Sequence, residues 1–156
     1  LIICEPGKEK ESIVRLTRVG FNKFAGYLKD GFNTWKNAGE NIDMIINVEP
    51  DELAMDIPHD NNLVVVDVRR ETECADGHVK NAVNIPLSTF TDPASMADLE
   101  DDQNLYIHCG SGYRSVVAVS ILKRNGIHNL YNVSGGWNKI KLEEKIKTEK
   151  EASVLN

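Results

Sequence analysis

The chain has 156 residues, with 18 Lys and Arg against 24 Asp and Glu and a formal net charge of −6 at pH 7, which allows one ordinary domain plus a fragment. Negative charge argues against nucleic acid as a partner, and no apolar run approaches the ~18 residues of a membrane span. Three scattered cysteines (Cys4, Cys74 and Cys109) without a Cys-x-x-Cys pair favour neither a disulfide framework nor a zinc site, so we expect a cytoplasmic protein with reduced thiols, no metal and no cofactor.

Residues 1–40 predict a partial α/β unit. An apolar strand from Leu1 to Cys4 is followed by a helix from Ser12 to Val19, a strand-like stretch around Phe24 to Leu28 and a short helix from Phe32 to Lys36. The sequence begins without an initiator Met, and we expect it to be a piece of a longer protein.

Residues 41–142 predict a complete α/β domain. Strands are expected over 42–48, 63–66, 82–85, 105–108 and 130–133, and helices from 49, over 71–75, over 94–99 and over 116–124. This alternation indicates a three-layer fold, in which helices cover both faces of a central, mainly parallel five-stranded sheet. Residues 143–156 mix charges and predict a helical tail without chemistry.

The two parts repeat one scheme of strand, loop, helix, glycine, strand and a final Gly-aromatic pair. Gly20 corresponds to Gly126, and Gly31-Phe32 corresponds to Gly136-Trp137. The loop that follows Cys109 in the second copy has a different counterpart in the first copy, Glu-Pro-Gly-Lys-Glu-Lys-Glu (5–11). Because proline removes an amide donor and glutamates oppose a thiolate, we expect this copy to be catalytically silent. The alternative is that two such units look alike only because all strand-helix-strand units do.

The stretch after the fourth predicted strand carries the chemistry. Cys109 opens a small-residue loop, Gly-Ser-Gly-Tyr-Arg-Ser (110–115), that runs into an apolar helix. Unpaired N–H groups at a helix N-terminus stabilise an anion, so this position predicts a lowered pKa and a nucleophilic sulfur for Cys109, helped by the charge of Arg114. We expect the Ser115 hydroxyl to cap the helix. The structural alternative is a small buried thiol without reactivity.

The loop Cys109–Ser115 resembles the active loop of the rhodanese (sulfurtransferase) family. The segments 67–69, 77–86 and 135–137 resemble the family's other signatures in the same order and spacing, so the resemblance covers residues 42 to about 141. Residues 1–40 resemble the second half of a degenerate rhodanese domain. This arrangement is similar to proteins in which a metallo-β-lactamase-fold persulfide dioxygenase precedes a silent and then an active rhodanese domain, although no His-x-His-x-Asp-His metal motif occurs here.

The resemblance implies a sulfurtransferase that moves a sulfane sulfur from thiosulfate or a low-molecular-weight persulfide to a thiol or cyanide, through a persulfide on Cys109. It also implies a set of substrate- and anion-binding residues, with Tyr113 at the pocket rim: Gly110, Ser111, Gly112, Tyr113, Arg114 and Ser115. Supporting positions are Asp67, Arg69, His78 and Trp137.

The supporting residues also have structural interpretations. Asp67 and Arg69 are expected to tie a strand end to neighbouring loops through an ion pair, and His78 to hold a turn by hydrogen bonding. Trp137 is expected in the core or pocket wall. Next to the nucleophile, His108 points to the opposite face of its strand, so we expect it to be packed rather than to act as a base.

Two other functions remain open. A cysteine phosphatase or arsenate reductase also combines a Cys loop with an Arg, but those families place one more residue between Cys and Arg than the four found here. A catalytically weak regulatory or docking module is the other alternative. The expected partners are a small-molecule sulfur donor and a thiol acceptor. Further expectations are a persulfide dioxygenase domain in the parent protein and a homo-oligomer. We expect neither nucleic acid nor a membrane as a partner.

Overall fold

The computed structural model describes residues 1–18 and 20–151, which form two compact units, one ending at Met44 and one beginning at Ile45. The expected helix end at Val19 and the last five residues of the expected tail lie outside the described residues. No described helix combines the length and the apolar character needed to cross a membrane.

The first unit contains two helices, α1 (Glu9–Arg18) and α2 (Phe32–Asn37). The strand expected around Phe24 to Leu28 is reduced to a single parallel bridge between Ile2 and Tyr27. Two backbone hydrogen bonds flank that bridge, so the pairing has the hydrogen-bond pattern of a parallel ladder but extends over one residue pair only.

The second unit is an α/β domain built on a parallel sheet. Its elements are β1 (Ile46–Val48), α3 (Pro50–Asp56), β2 (Leu63–Asp67), α4 (Glu71–Ala75), β3 (His78–Val79), β4 (Val83–Asn84), two 3-10 turns (Leu87–Thr89 and Pro93–Met96), β5 (Asn104–His108), α5 (Tyr113–Arg124), β6 (Leu130–Val133), α6 (Trp137–Ile140) and β7 (Thr148–Glu149). Five strands form the central sheet in the order β1-β6-β5-β2-β4, and all of its pairings are parallel. The predicted fold class is confirmed.

Alternating side chains of the central strands supply two cores, one on each face of the sheet. Val65 and Tyr106 pack with Leu53 of α3 and Ile140 of α6 on one face. On the other face the alternate residues of the same strands pack against α5: Val66, Leu105, Ile107, Ala118, Val119 and Leu122. This follows from the two-residue period of a strand, which turns neighbouring side chains to opposite faces.

The register of the sheet places the chemistry at one edge. Asp67, the last residue of β2, pairs with His108, the last residue of β5. The segment that leaves β2 and the loop that begins at Cys109 therefore emerge side by side at the carboxyl ends of the strands, where parallel sheets hold their sites.

Several boundaries differ from the sequence-based expectations. β1 does not begin at 42, because an edge strand pairs on one side only and here pairs with β6 from Ile46 onward. β4 shrinks to Val83–Asn84, and the helix expected over 94–99 is a 3-10 turn, Pro93–Met96. α5 begins at Tyr113, three residues before the expected 116, because Gly112 adopts φ +108 and starts the helix directly after the loop.

The expected helical tail is wrong over its described part. Ile146 is buried in the core with Leu53, and Thr148–Glu149 form β7, which pairs antiparallel with β3. Around Ile146 the charged neighbours Lys145 and Lys147 are exposed. That two-residue alternation suits an extended segment rather than a helix. Residues 143–151 consequently belong to the folded domain.

The first unit reproduces the strand and glycine geometry of the second. Ile2 pairs with Tyr27 as Ile107 pairs with Asn132, with the same separation of 25 residues. A Cβ on Gly31 would lie 2.3 Å from the Cys4 carbonyl oxygen, as one on Gly136 would lie 2.2 Å from that of Cys109. The assignment of residues 1–40 to a degenerate half-domain stays a prediction, and this shared geometry favours it over the alternative of a generic likeness.

Candidate active site

Cys109 lies between the end of β5 and the start of α5, at the C-terminal edge of the sheet. Only 1% of the residue is exposed. Gly112 ends the loop in a left-handed conformation, with φ +108, which would be strained for most residues other than glycine. The turn brings the N–H of Gly112, directly before the 12-residue helix α5, within hydrogen-bonding distance of the sulfur atom.

Two groups of the loop contact the Cys109 sulfur. The N–H of Gly112 donates to Sγ at 3.1 Å, and the Ser115 hydroxyl lies 3.6 Å from it. The same hydroxyl donates to the Gly112 carbonyl at 3.0 Å. The expectation that Ser115 caps the helix is wrong, because the cap position is Gly112 and Ser115 lies in the first turn, buried beneath the nucleophile.

These contacts influence the pKa of the Cys109 thiol. Burial alone opposes ionisation and is the largest influence on the pKa of Cys109. The Ser115 hydroxyl and the N–H groups of Ser115, Gly112 and Ser111 act in the opposite sense and together outweigh it. The pKa of Cys109 therefore lies below that of an ordinary thiol, as the position at a helix N-terminus predicts.

Arg114 projects from the first turn of α5 onto α4. Its guanidinium donates two hydrogen bonds to the Glu73 carboxylate, at 2.7 and 2.8 Å. The side-chain hydrogen bond from Arg114 is the main reason that the pKa of Glu73 falls to about 2. Two of the five N–H donors of Arg114 are thus directed to Glu73, and its role in anion binding stays a prediction.

Glu73 was not among the site residues predicted from the sequence. Glu73 and Arg114 are 41 residues apart, and an acidic residue on a short helix has no local feature that names its partner. The available signal was indirect: α4 follows β2 as α5 follows β5, and the carboxyl ends of parallel strands meet at the same edge of a sheet.

α6 holds the loop from its other side. The N–H groups of Trp137 and Asn138 donate to the carbonyls of Cys109 and Gly110, at 2.6 and 3.0 Å. Any Cβ at Gly136 would collide with the Cys109 carbonyl, so a glycine is required for this approach. The Gly-Gly-Trp segment therefore fixes the backbone that presents the nucleophile.

Asp67 and Arg69 form a buried ion pair beneath the site. The Arg69 Nε lies 2.9 Å from both carboxylate oxygens of Asp67, and its Nη2 donates to the Gly77 carbonyl at 2.7 Å. The guanidinium carbon of Arg69 stands 4.7 Å from the centre of the Trp137 ring. These contacts tie the end of β2 to the Gly77 turn and to α6.

The two histidines near the site take part in packing and turn contacts. His108 is completely buried, and burial lowers its pKa. Its ring stacks on that of Trp137, with 6.4 Å between the ring centres. His78 Nδ1 lies 2.9 Å from the Cys74 carbonyl and so holds the turn after α4.

A cleft of about 640 Å³, which we call the side cleft, reaches Arg114. Its walls are Val68, Arg70, Glu73, Pro86, Leu87, Ser88 and Arg114. Tyr113, expected at a pocket rim, does not line the side cleft and is 85% exposed. The structure thus brings Cys109 together with Gly112 and Ser115 and places Tyr113 outward.

The sequence matches the rhodanese-like domain family over residues 49–143. It is 27% identical over 93 residues to a sulfurtransferase of Allochromatium vinosum, a match that covers 60% of this chain and 85% of that protein. It is 35% identical over 81 residues to a tRNA uridine(34) hydroxylase of Erwinia tasmaniensis, but the match covers 49% of this chain and only 23% of the hydroxylase.

A solved structure agrees with these matches. The rhodanese-like domain protein from Staphylococcus aureus superposes with a TM-score of 0.60 at 30% sequence identity, covering 69% of this chain and 100% of that chain.

Proposed function

Because this chain belongs to the rhodanese-like domain family, we propose that it is a sulfurtransferase that moves a sulfane sulfur from thiosulfate or a low-molecular-weight persulfide to a thiol or cyanide. One observation carries the proposal: the Cys109 sulfur, with a lowered pKa, faces the Gly112 N–H at 3.1 Å at the start of α5. A thiolate in that position is a nucleophile, and the persulfide formed on it would find the same amide donors.

The proposed reaction has two steps. In the first, the Cys109 thiolate attacks the outer sulfur of the donor, the donor's sulfur–sulfur bond breaks, and sulfite or a thiolate leaves with the electron pair. In the second, a thiolate or cyanide attacks the outer sulfur of the Cys109 persulfide, and the Cys109 thiolate is regenerated. No net oxidation occurs, because the sulfur atom changes only its bonding partner.

The engagement of Arg114 favours sulfur transfer over phosphate chemistry. A phosphatase loop needs its guanidinium on the phosphoryl oxygens, whereas Arg114 directs two hydrogen bonds to Glu73. The near-complete burial of Cys109 also favours a donor that presents a single sulfur atom over one that presents a tetrahedral group.

Turnover tests the proposal directly. The purified chain is incubated with thiosulfate plus cyanide, with glutathione persulfide plus cyanide, and separately with p-nitrophenyl phosphate. We expect thiocyanate from the sulfur donors with ping-pong kinetics, no phosphate release, and loss of thiocyanate formation in Cys109→Ser. Phosphate release without thiocyanate would replace the proposal by the phosphatase alternative. Absence of both would favour the docking module.

A further inference from the structure

The side cleft borders the segments that flank the nucleophile, although Cys109 itself does not line it. The N–H of Val68, in the cleft wall, donates to the His108 carbonyl at 2.9 Å, one residue before Cys109. Arg114, five residues after Cys109, forms the neighbouring part of the wall. A molecule in the side cleft would therefore lie next to the segment that carries the reactive sulfur.

The size of the side cleft exceeds the needs of an inorganic donor. Clefts of ~300–1,000 Å³ typically hold drug-sized organic ligands, and the side cleft measures about 640 Å³. Val68, Pro86 and Leu87 give it an apolar wall, and the Ser88 hydroxyl adds one polar group. The cleft thus suits an organic body attached to the transferred sulfur.

The charge of the side cleft is set by one residue, Arg70. Of the three charged side chains in the wall, Arg114 and Glu73 neutralise each other through two hydrogen bonds. Arg70 is exposed, and within residues 1–18 and 20–151 no carboxylate forms an ion pair with it. The side cleft therefore presents one uncompensated guanidinium, a group that binds carboxylates in a planar, two-point geometry.

We propose that Arg70 binds a carboxylate of an organic persulfide donor in the side cleft and selects donors with free carboxylates over those in which the carboxylates are esterified. The inference rests on the proposed sulfurtransferase function and adds the residue that sets donor specificity. Arg70 acts by binding the donor's body and takes no part in the bond exchange at sulfur, so it affects KM more than kcat.

The experiment compares two donors with the same peptide body, glutathione persulfide and the persulfide of glutathione diethyl ester, in which ethyl groups mask both carboxylates. Steady-state kcat/KM is measured for both with the full chain, with Arg70→Gln and with Arg124→Gln. Arg124 lies at the exposed end of α5, outside the side cleft, so its variant controls for the loss of one positive charge. An exposed ion pair of ~0.5–1 kcal/mol corresponds to a change of about 2- to 5-fold.

We expect the acid-to-ester ratio of kcat/KM to fall about 2- to 5-fold in Arg70→Gln, mainly through KM, and to stay unchanged in Arg124→Gln. An unchanged ratio in Arg70→Gln would overturn the inference while leaving the sulfurtransferase function intact, because turnover would continue. An equal fall in both variants would assign the effect to net charge and would also overturn it. If no donor were turned over, the proposed function and the inference would fail together.

Discussion

Replacing Ser115 by Ala should raise the pKa of Cys109 without removing the nucleophile. The Ser115 hydroxyl lies 3.6 Å from Sγ and is the leading group among those that lower this pKa. A hydrogen bond to a charged group contributes ~1.5–3 kcal/mol, which corresponds to ~1–2 pKa units. The hydroxyl has one proton, and in the structure it donates that proton to the Gly112 carbonyl at 3.0 Å. Ionisation of the thiol must redirect it, so we expect an increase near the lower limit, about 1 unit.

The pH dependence of sulfur uptake measures this change. A thiol with a depressed pKa is ionised down to lower pH, so the rate rises with pH through a midpoint below that of a free thiol. In Ser115→Ala this midpoint moves to higher pH, and the ultraviolet absorbance of the thiolate, measured against Cys109→Ser, shifts with it. Ser120→Ala is the matched control, because Ser120 lies on the same helix and bonds the Val116 carbonyl at 3.1 Å. An unshifted midpoint in a folded Ser115→Ala protein would refute the reasoning.

Three further predictions concern the frame around the loop. Glu73→Gln removes the carboxylate from Arg114. Because the two side chains are 37% and 36% exposed, solvent screening limits the loss to ~0.5–1 kcal/mol in chemical denaturation. Since the folded-state pKa of Glu73 is about 2, the contribution is present above its ordinary pKa and disappears as pH falls toward 2; equal stability of variant and parent at pH 7 would contradict this. Gly136→Ala should destabilise the protein more than Gly126→Ala does, by ~1–3 kcal/mol. Both glycines have positive φ, but only a Cβ at position 136 would collide with a backbone carbonyl, that of Cys109. Equal melting temperatures of the two variants would contradict this. Burial raises the pKa of Cys74 to about 11, so in the native protein Cys74 should resist alkylation at pH 7 and react only on unfolding, as peptide mapping would show.

The sequence predicted those features that local pattern controls. Three elements could be recognised, with their boundaries, from the pattern of their own residues: the strand Leu63–Val66, the helix over 71–75 and the strand Leu130–Val133. The structure places each of them within one residue of the prediction. The position of Cys109 at a strand-to-helix turn was likewise readable, because a strand, small residues and an apolar helix follow one another in sequence.

Features that depend on distant partners were not predictable. The pairing of Arg114 with Glu73 requires α4 and α5 to meet, and it adds to the predicted anion-binding role of Arg114 a contact that ties α5 to α4. The segment around Ile146 is extended because β3 offers an edge to pair with and the core accepts one side chain. Mixed charges alone could not distinguish it from a helix.

The central claim is that the Cys109 sulfur atom carries the transferred sulfur, and intact mass spectrometry tests this claim most directly. The chain is incubated with glutathione persulfide or thiosulfate, separated from the donor and weighed, with Cys109→Ser and Cys74→Ser treated in parallel. The account predicts the gain of one sulfur atom in the parent and in Cys74→Ser, its removal by cyanide, and no gain in Cys109→Ser. An equal gain in Cys109→Ser, or no gain in the parent with either donor, would contradict it.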